Sequence, residues 1–248
     1  FELKQTFSLE AASSLLLYAV LGVAAALVSV SFTESLLWVR KWFASFHRLP
    51  RWAQPAIGGL ITGGLAVVAL QLFEAQGITG GGYKLLAAAL GGSLTLKILL
   101  GLGLLKLAAT VWSYSSGGAG GIFAPSLFIG GMLGGAIGYV DVAVFGNPPS
   151  TIASFALVGM GAVFAGVIRA PITSVLIIVE MTNGYSLILP LMIANMSAYG
   201  LARQLRPVPI YEALLAQDGI HLPAAYVQVQ DTHPPVDAPP ADNLPPSD

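Results

Sequence analysis

Apolar residues fall along this chain in long blocks, separated by short breaks that carry glycine, proline or charge. A helix rises 1.5 Å per residue, so about 20 apolar residues cross the ~30 Å hydrocarbon core of a bilayer. Residues 9–30 make a first block of that length, which passes into an amphipathic piece at 34–46. It ends in the basic cluster Arg40, Lys41, His47, Arg48 and Arg51. Residues 56–73 make a second block, followed by a glycine-rich break at 77–82. Residues 83–90 are apolar but too short to span, and 94–112 is long enough again. A second glycine-rich break, 113–121, opens the run 122–145, after which Pro148 and Pro149 mark a loop. The last block, 152–201, is interrupted at Arg169-Ala170-Pro171 and again at 181–184. Residues 210–216 read as one amphipathic turn or two. From 229 onward the chain is rich in Pro, Asp and Ala, which predicts a disordered, soluble tail.

The pattern predicts an all-α, polytopic membrane protein with short, tilted and broken helices. Irregular backbone survives at membrane depth only where protein or a water-lined cavity satisfies it. Broken helices whose ends meet near the midplane are the usual ion site of transporters. The pattern therefore favours transport over a receptor bundle of plain helices.

Composition agrees. Hydrophobic residues make up 55% of the chain and charged residues 9%, and the mean hydropathy is +0.77. Soluble domains carry about a quarter charged residues. The 29 glycines, a burden in water, suit close helix packing in lipid. A net charge of -1 gives no field to recruit nucleic acid. There is no cysteine, and the three histidines, His47, His221 and His233, have no ligand-like spacing. Neither a metal nor a cofactor is expected. No intramembrane histidine stands by to activate Ser115 or Ser116, which argues against an intramembrane enzyme. The chain begins at Phe1 with no charged stretch before a short apolar one, so no signal peptide is read there. Basic residues at 40–51 and 203–206 assign both segments to the cytoplasmic side.

Candidate chemistry concentrates in Ser115-Ser116-Gly117-Gly118-Ala119-Gly120-Gly121-Ile122-Phe123-Ala124-Pro125. Glycines let bare backbone approach a ligand, and proline suits the first turn of a helix. The first N–H groups of the following helix have no intrahelical partner and carry the positive end of its dipole. Such a start, aimed into a membrane cavity, binds an anion without a formal charge. A glycine-rich loop that simply joins two spans reads equally well from these residues alone.

The segment Gly121-Ile122-Phe123-Ala124-Pro125 resembles the GxFxP motif of the CLC chloride channel and transporter family, and the Ser-Ser-Gly-Gly-Ala-Gly before it resembles that family's lead-in. Three further stretches agree. They are Gly159-Met160-Gly161-Ala162 with Ile168-Arg169-Ala170-Pro171-Ile172-Thr173, then Val179-Glu180-Met181-Thr182, and Asn183-Gly184-Tyr185-Ser186-Leu187-Ile188-Leu189-Pro190. The loop Thr79-Gly80-Gly81-Gly82 also has a counterpart, and the likeness runs from about residue 9 to 215.

The resemblance implies the second half of the CLC inverted-repeat fold over residues 1–206, a cytoplasmic segment at 207–228 and the tail at 229–248. It implies transport of chloride or a similar monovalent anion. The anion would be held by Gly121, Ile122, Phe123, Ala124 and Pro125, with backbone amides of Ile122 and Phe123 in contact and the hydroxyl of Tyr185 as a further donor. Read by itself, Tyr185 is more simply a tyrosine of the membrane interface, and the flanking motif reverses that preference. A multi-pass protein of the plasma (inner) membrane with a cytoplasmic C-terminus is expected, working as a homodimer through residues 9–30 and 172–196. The first-half motifs of the family, one with an anion-contacting serine and one with a gating glutamate, do not occur here. A channel and a proton-coupled exchanger therefore both remain open, as does a non-conducting structural or assembly subunit. Arg169, Glu180, Lys97, Lys106 and Asp141 are expected at segment ends or interfaces, without a catalytic role.

Overall fold

The computed structural model describes residues 12–46, 50, 52–74, 78–118 and 120–220. The segment 221–228 and the tail at 229–248 lie outside them, as do the three histidines. Among the described residues the chain is helical, without strands: α1 (Ala12–Ser45), α2 (Gln54–Phe73), α3 (Tyr83–Leu90), α4 (Leu96–Ser115), α5 (Phe123–Phe145), α6 (Ser150–Ile168), α7 (Pro171–Thr182), a 3-10 turn (Tyr185–Leu187), α8 (Ile188–Leu205) and α9 (Ile210–Gln217). Six helical stretches are long and apolar enough to cross a bilayer.

The predicted breaks fall where the residues put them. Pro171 sits at the start of α7 after Arg169 has closed α6 in a left-handed conformation, with φ at 66°. Asn183, at φ 52°, closes α7 in the same way. The 12 residues of α7 rise about 18 Å and the eight of α3 about 12 Å, both well short of a span. One expectation changes. The first apolar block and its amphipathic continuation form a single helix of 34 residues, about 51 Å long, because no Gly or Pro falls between Gly22 and Pro50.

Helix α6 is the hub. Every residue from Thr151 to Val167 is buried, enclosed by α5, α1, α8 and α7. Its contact with α5 is backbone on backbone. A Cβ added at Gly134 would lie 2.0 Å from the Phe155 carbonyl oxygen, and one at Gly130 would lie 2.3 Å from that of Gly159. Lipid tails are as apolar as leucine, so helices in a bilayer associate through close packing and hydrogen bonds rather than through exclusion of water. Ser29 of α1 supplies one such bond, its Oγ donating to the Val163 carbonyl at 3.1 Å. Ser174 of α7 supplies another, to the Gly161 carbonyl at 2.7 Å. At the other extreme α2 packs against α4 and leaves most of its surface open.

Candidate functional site

The loop between α4 and α5 gathers the candidate residues. Ser115 Oγ donates to the Leu36 carbonyl at 2.8 Å, tying the end of α4 to α1. The chain then turns at Gly117, whose φ of 86° favours glycine. The Gly118 N–H returns to the Ser113 carbonyl at 3.2 Å. Helix α5 begins at Phe123, with Ile122 as its cap residue. Ile122 is buried and its side chain can cap nothing, where Ser, Thr, Asp or Asn is the usual choice. The first amide of the helix to bond within it is Ser126, which donates to the Ile122 carbonyl at 3.1 Å. The amides of Ile122, Phe123 and Ala124 precede that bond, and Pro125 has none to place. Three donors at the positive end of α5 are thus left without a side-chain cap.

This start opens on a cleft of about 410 Å³. Gly120, Gly121, Ala124 and Pro125 form one wall, the loop from Ile78 to Gly81 another, and Lys106, Thr110, Ser113 and Tyr114 of α4 a third. A second cavity, of about 1050 Å³, borders the same loop and is lined by Arg40, Lys41, Gln54, Gln217 and Asp218 among others. Tyr114 and Gly120 border both. The loop before α5 therefore borders two cavities. The larger carries two basic side chains, although Arg40 is held by Asp218 at 2.8 Å.

Five of the six predicted site residues come together here, and Tyr185 does not. Phe123, at the start of α5, stacks edge-on against Phe164 near the carboxyl end of α6, with ring centroids 5.2 Å apart. The guanidinium of Arg169, which closes α6, donates to the carbonyls of Tyr199, Ala202 and Arg206 at 3.3, 2.6 and 2.7 Å. The carboxyl ends of α6 and α8 therefore lie together, on the α5-start side. Tyr185 precedes α8, whose 18 residues separate its ends by roughly 27 Å. It is 70% exposed and lines neither cavity. Tyr211, the second residue of α9, follows the carboxyl end of α8; it too lines neither cavity. Its helix packs on α1 and α6. Nothing in Pro209-Ile210-Tyr211 marks a ligand in the sequence. Pro209 before a short amphipathic helix shows only that the chain re-enters the fold there.

The intramembrane charges also sort themselves. Arg169 is satisfied by backbone carbonyls of Tyr199, Ala202 and Arg206. Glu180 and Lys97 are exposed. Lys106 and Asp141 depart from expectation. Lys106 is 3% exposed and does not snorkel to an interface, because the Ile78–Gly81 loop and Phe128 of α5 lie over its amine. Asp141 is fully buried, with one oxygen accepting from Asn147 Nδ2 at 2.9 Å and the other unsatisfied.

With the geometry in hand, known proteins show what it is similar to. Residues 1–203 match the family model described as voltage gated chloride channel, and the chain belongs to that family. Among its curated relatives is the H(+)/Cl(-) exchange transporter ClcA of Cronobacter sakazakii, 37% identical over 206 residues, which are 82% of this chain and 43% of that protein. The ClcA of Salmonella arizonae is 36% identical over 207 residues, 83% of this chain and 43% of that protein. Among solved structures, a slow cyanobacterial Cl-/H+ antiporter superposes with a TM-score of 0.72 at 29% identity, over 87% of this chain and 49% of that one. A CLC-type fluoride/proton antiporter superposes at 0.66 with 25% identity, over 86% of this chain and 49% of that one. The fold is that of a CLC transporter, and the protein is a multi-pass membrane protein. The chain spans about half the length of the relatives it matches.

Proposed function

We propose that this chain forms one half of a pathway that carries chloride, or a similar monovalent anion, across a membrane. The observation that carries this reading is the uncapped start of α5: the amides of Ile122, Phe123 and Ala124 precede the first intrahelical bond, beside a cleft, behind an apolar cap residue. Partial charges there attract an anion yet release it, which conduction requires. The names of the relatives, chloride–proton exchangers and antiporters, support the substrate class. Gly121 and Gly120 leave the approach bare, with nothing within 4 Å of an added Cβ.

The phenol that fits this site is Tyr211, on the same end of the bundle, and not Tyr185. Tyr211→Phe should weaken chloride binding severalfold in calorimetry, and Tyr185→Phe should leave it unchanged. The reverse result would return the role to Tyr185. The amides are tested by Ala124→Pro, which deletes one donor at a position where helices tolerate proline. Chloride affinity should fall about tenfold, the scale of one hydrogen bond to an ion. A folded variant with unchanged affinity would count against the site.

Assembly follows from the same reading. On α1, Leu16, Val20, Val23 and Leu27 recur at helical spacing on the open surface, and Ile172, Leu176, Leu189, Met192 and Met196 add a second open apolar face from α7 and α8. A homodimer across these faces is proposed, with the C-terminus on the cytoplasmic side of the plasma (inner) membrane. The pairing of Arg206 with Glu34 and of Arg40 with Asp218 supports a common side for both basic segments. Cross-linking through cysteines placed at Leu176 and Met192 checks the dimer. This half alone should not conduct. Liposomes holding only this chain should release chloride no faster than empty ones, and faster release would overturn that statement. Inert liposomes with no chloride binding would favour the structural or assembly subunit.

A further inference from the structure

Helix α7 carries an acid on its open side. Ile172, Leu176 and Glu180 recur every fourth residue on one exposed face, opposite the buried Ser174 and Ile178. Ser174 Oγ donates to the Gly161 carbonyl at 2.7 Å, so α7 doubles back along α6 after Pro171. Glu180 stands about 14 Å of helical rise beyond Pro171, at membrane depth. A carboxylate facing lipid at that depth is costly, which marks this face as one that protein covers. Among the described residues no donor reaches the Glu180 carboxylate. Tyr185 supplies the complementary group. It is 70% exposed, and its hydroxyl bonds to none of the described residues. A bonded turn fixes where it stands. Thr182 Oγ1 accepts from the Gly184 N–H at 3.2 Å, and the Tyr185 N–H donates to the Asn183 carbonyl at 3.2 Å. The buried Leu187 donates its N–H to the Gly184 carbonyl at 3.0 Å.

One short stretch thus offers an acceptor without a donor and, five residues on, a donor without an acceptor. Between two copies related by a two-fold axis, whatever residue i gives to residue j of the partner is given back in return. Such a stretch is complementary to itself under that symmetry, whereas any other partner must bring both groups. We propose that Glu180 and Tyr185 bond reciprocally across a homodimer, the phenol of each copy donating to the carboxylate of the other. The inference rests on the proposed dimer and adds to it the contact that fixes its register. Apolar side chains such as Leu176 and Met192 pack in several registers, and two directional bonds hold only in one.

Förster transfer between labelled copies of the protein, reconstituted in liposomes over a dilution series, gives the dimer dissociation constant. Tyr185→Phe should raise it about tenfold to hundredfold, since two bonds are lost per dimer. An unchanged constant overturns the pair and leaves the dimer standing. A wild-type protein that is monomeric at every dilution removes the dimer and the pair with it. In the Glu180→Leu background, Tyr185→Phe should change the constant less than about twofold, because its partner is already gone. An equal loss in both backgrounds means that the two side chains act independently, and overturns the proposal. Mixing tests whether the bond runs between copies. A Glu180→Leu copy beside a Tyr185→Phe copy keeps one intact pair and sets leucine against phenylalanine at the other. Mixed dimers should therefore exceed their statistical share. A purely statistical mixture places the bond within one copy and overturns its role in assembly.

Discussion

Helices α2 and α6 are nearly the same object in sequence and opposite objects in the fold. They have 20 and 19 residues, with mean hydropathies of 1.9 and 2.1. Yet α6 is buried inside the protein from Thr151 to Val167, whereas on α2 only Gly58 and Ala69 are buried. Hydropathy cannot separate them, since a bilayer accepts both. Small residues separate them in part. Along α5, Gly130, Gly134 and Gly138 each face the α6 backbone, and Gly159 of α6 faces back. On α2, Gly59, Gly63 and Gly64 face open space. A glycine in a membrane helix thus marks a possible close approach, and a neighbour must exist for it to be used.

The largest effect that separates the two helices is expected at the α5–α6 contact. Gly134→Leu would drive a side chain into the Phe155 carbonyl, where flexing cannot make room, and should cost more than about 3 kcal/mol. Thermal unfolding in detergent should show loss of the monodisperse species. Next comes the carboxyl end of α6. Arg169→Ala removes a guanidinium bonded to three carbonyls of α8 and the following turn and should cost about 2–3 kcal/mol, the range for hydrogen bonds to a charged group. Denaturant titration measures it. Ser29→Ala cuts the smaller tie from α1 to Val163 and should cost about 1 kcal/mol in the same titration. Last is the control on α2. Gly63→Leu meets nothing within 4 Å and should change stability by less than about 1 kcal/mol, in the stabilising direction if helix propensity decides. A loss at Gly63 as large as at Gly134 would mean that the outer face of α2 is covered in the membrane, and would end the contrast.

Much of the fold was legible because membrane helices announce their lengths and their stops. The break at Arg169-Ala170-Pro171, the short run at 83–90 and the start of α5 after Gly121 all stand where the residues place them. The candidate site was legible where it is local. Gly121, Ile122, Phe123, Ala124 and Pro125 are consecutive, so one loop-to-helix junction presents all of them. It was not legible where elements from distant parts of the chain must meet. Tyr185 sits in a persuasive motif at the amino end of α8, away from the start of α5, and Tyr211 in an ordinary one beyond the carboxyl end. Lys106 and Asp141 looked interfacial because hydropathy counts residues along one helix and ignores what packs over them.

The sequence by itself determined that the chain is helical, crosses a membrane several times, breaks its helices at stated points and begins α5 with unpaired amides. Each of these depends on neighbours in the chain: apolar run length, proline's missing N–H, glycine's freedom at positive φ. Tertiary structure alone decided that α6 is encased while α2 is bare, which tyrosine shares the α5 end of the bundle, and that Lys106 is shut against two loop carbonyls beside the cleft. Those facts depend on residues 25 or more positions apart, brought together by packing that no one-dimensional pattern specifies.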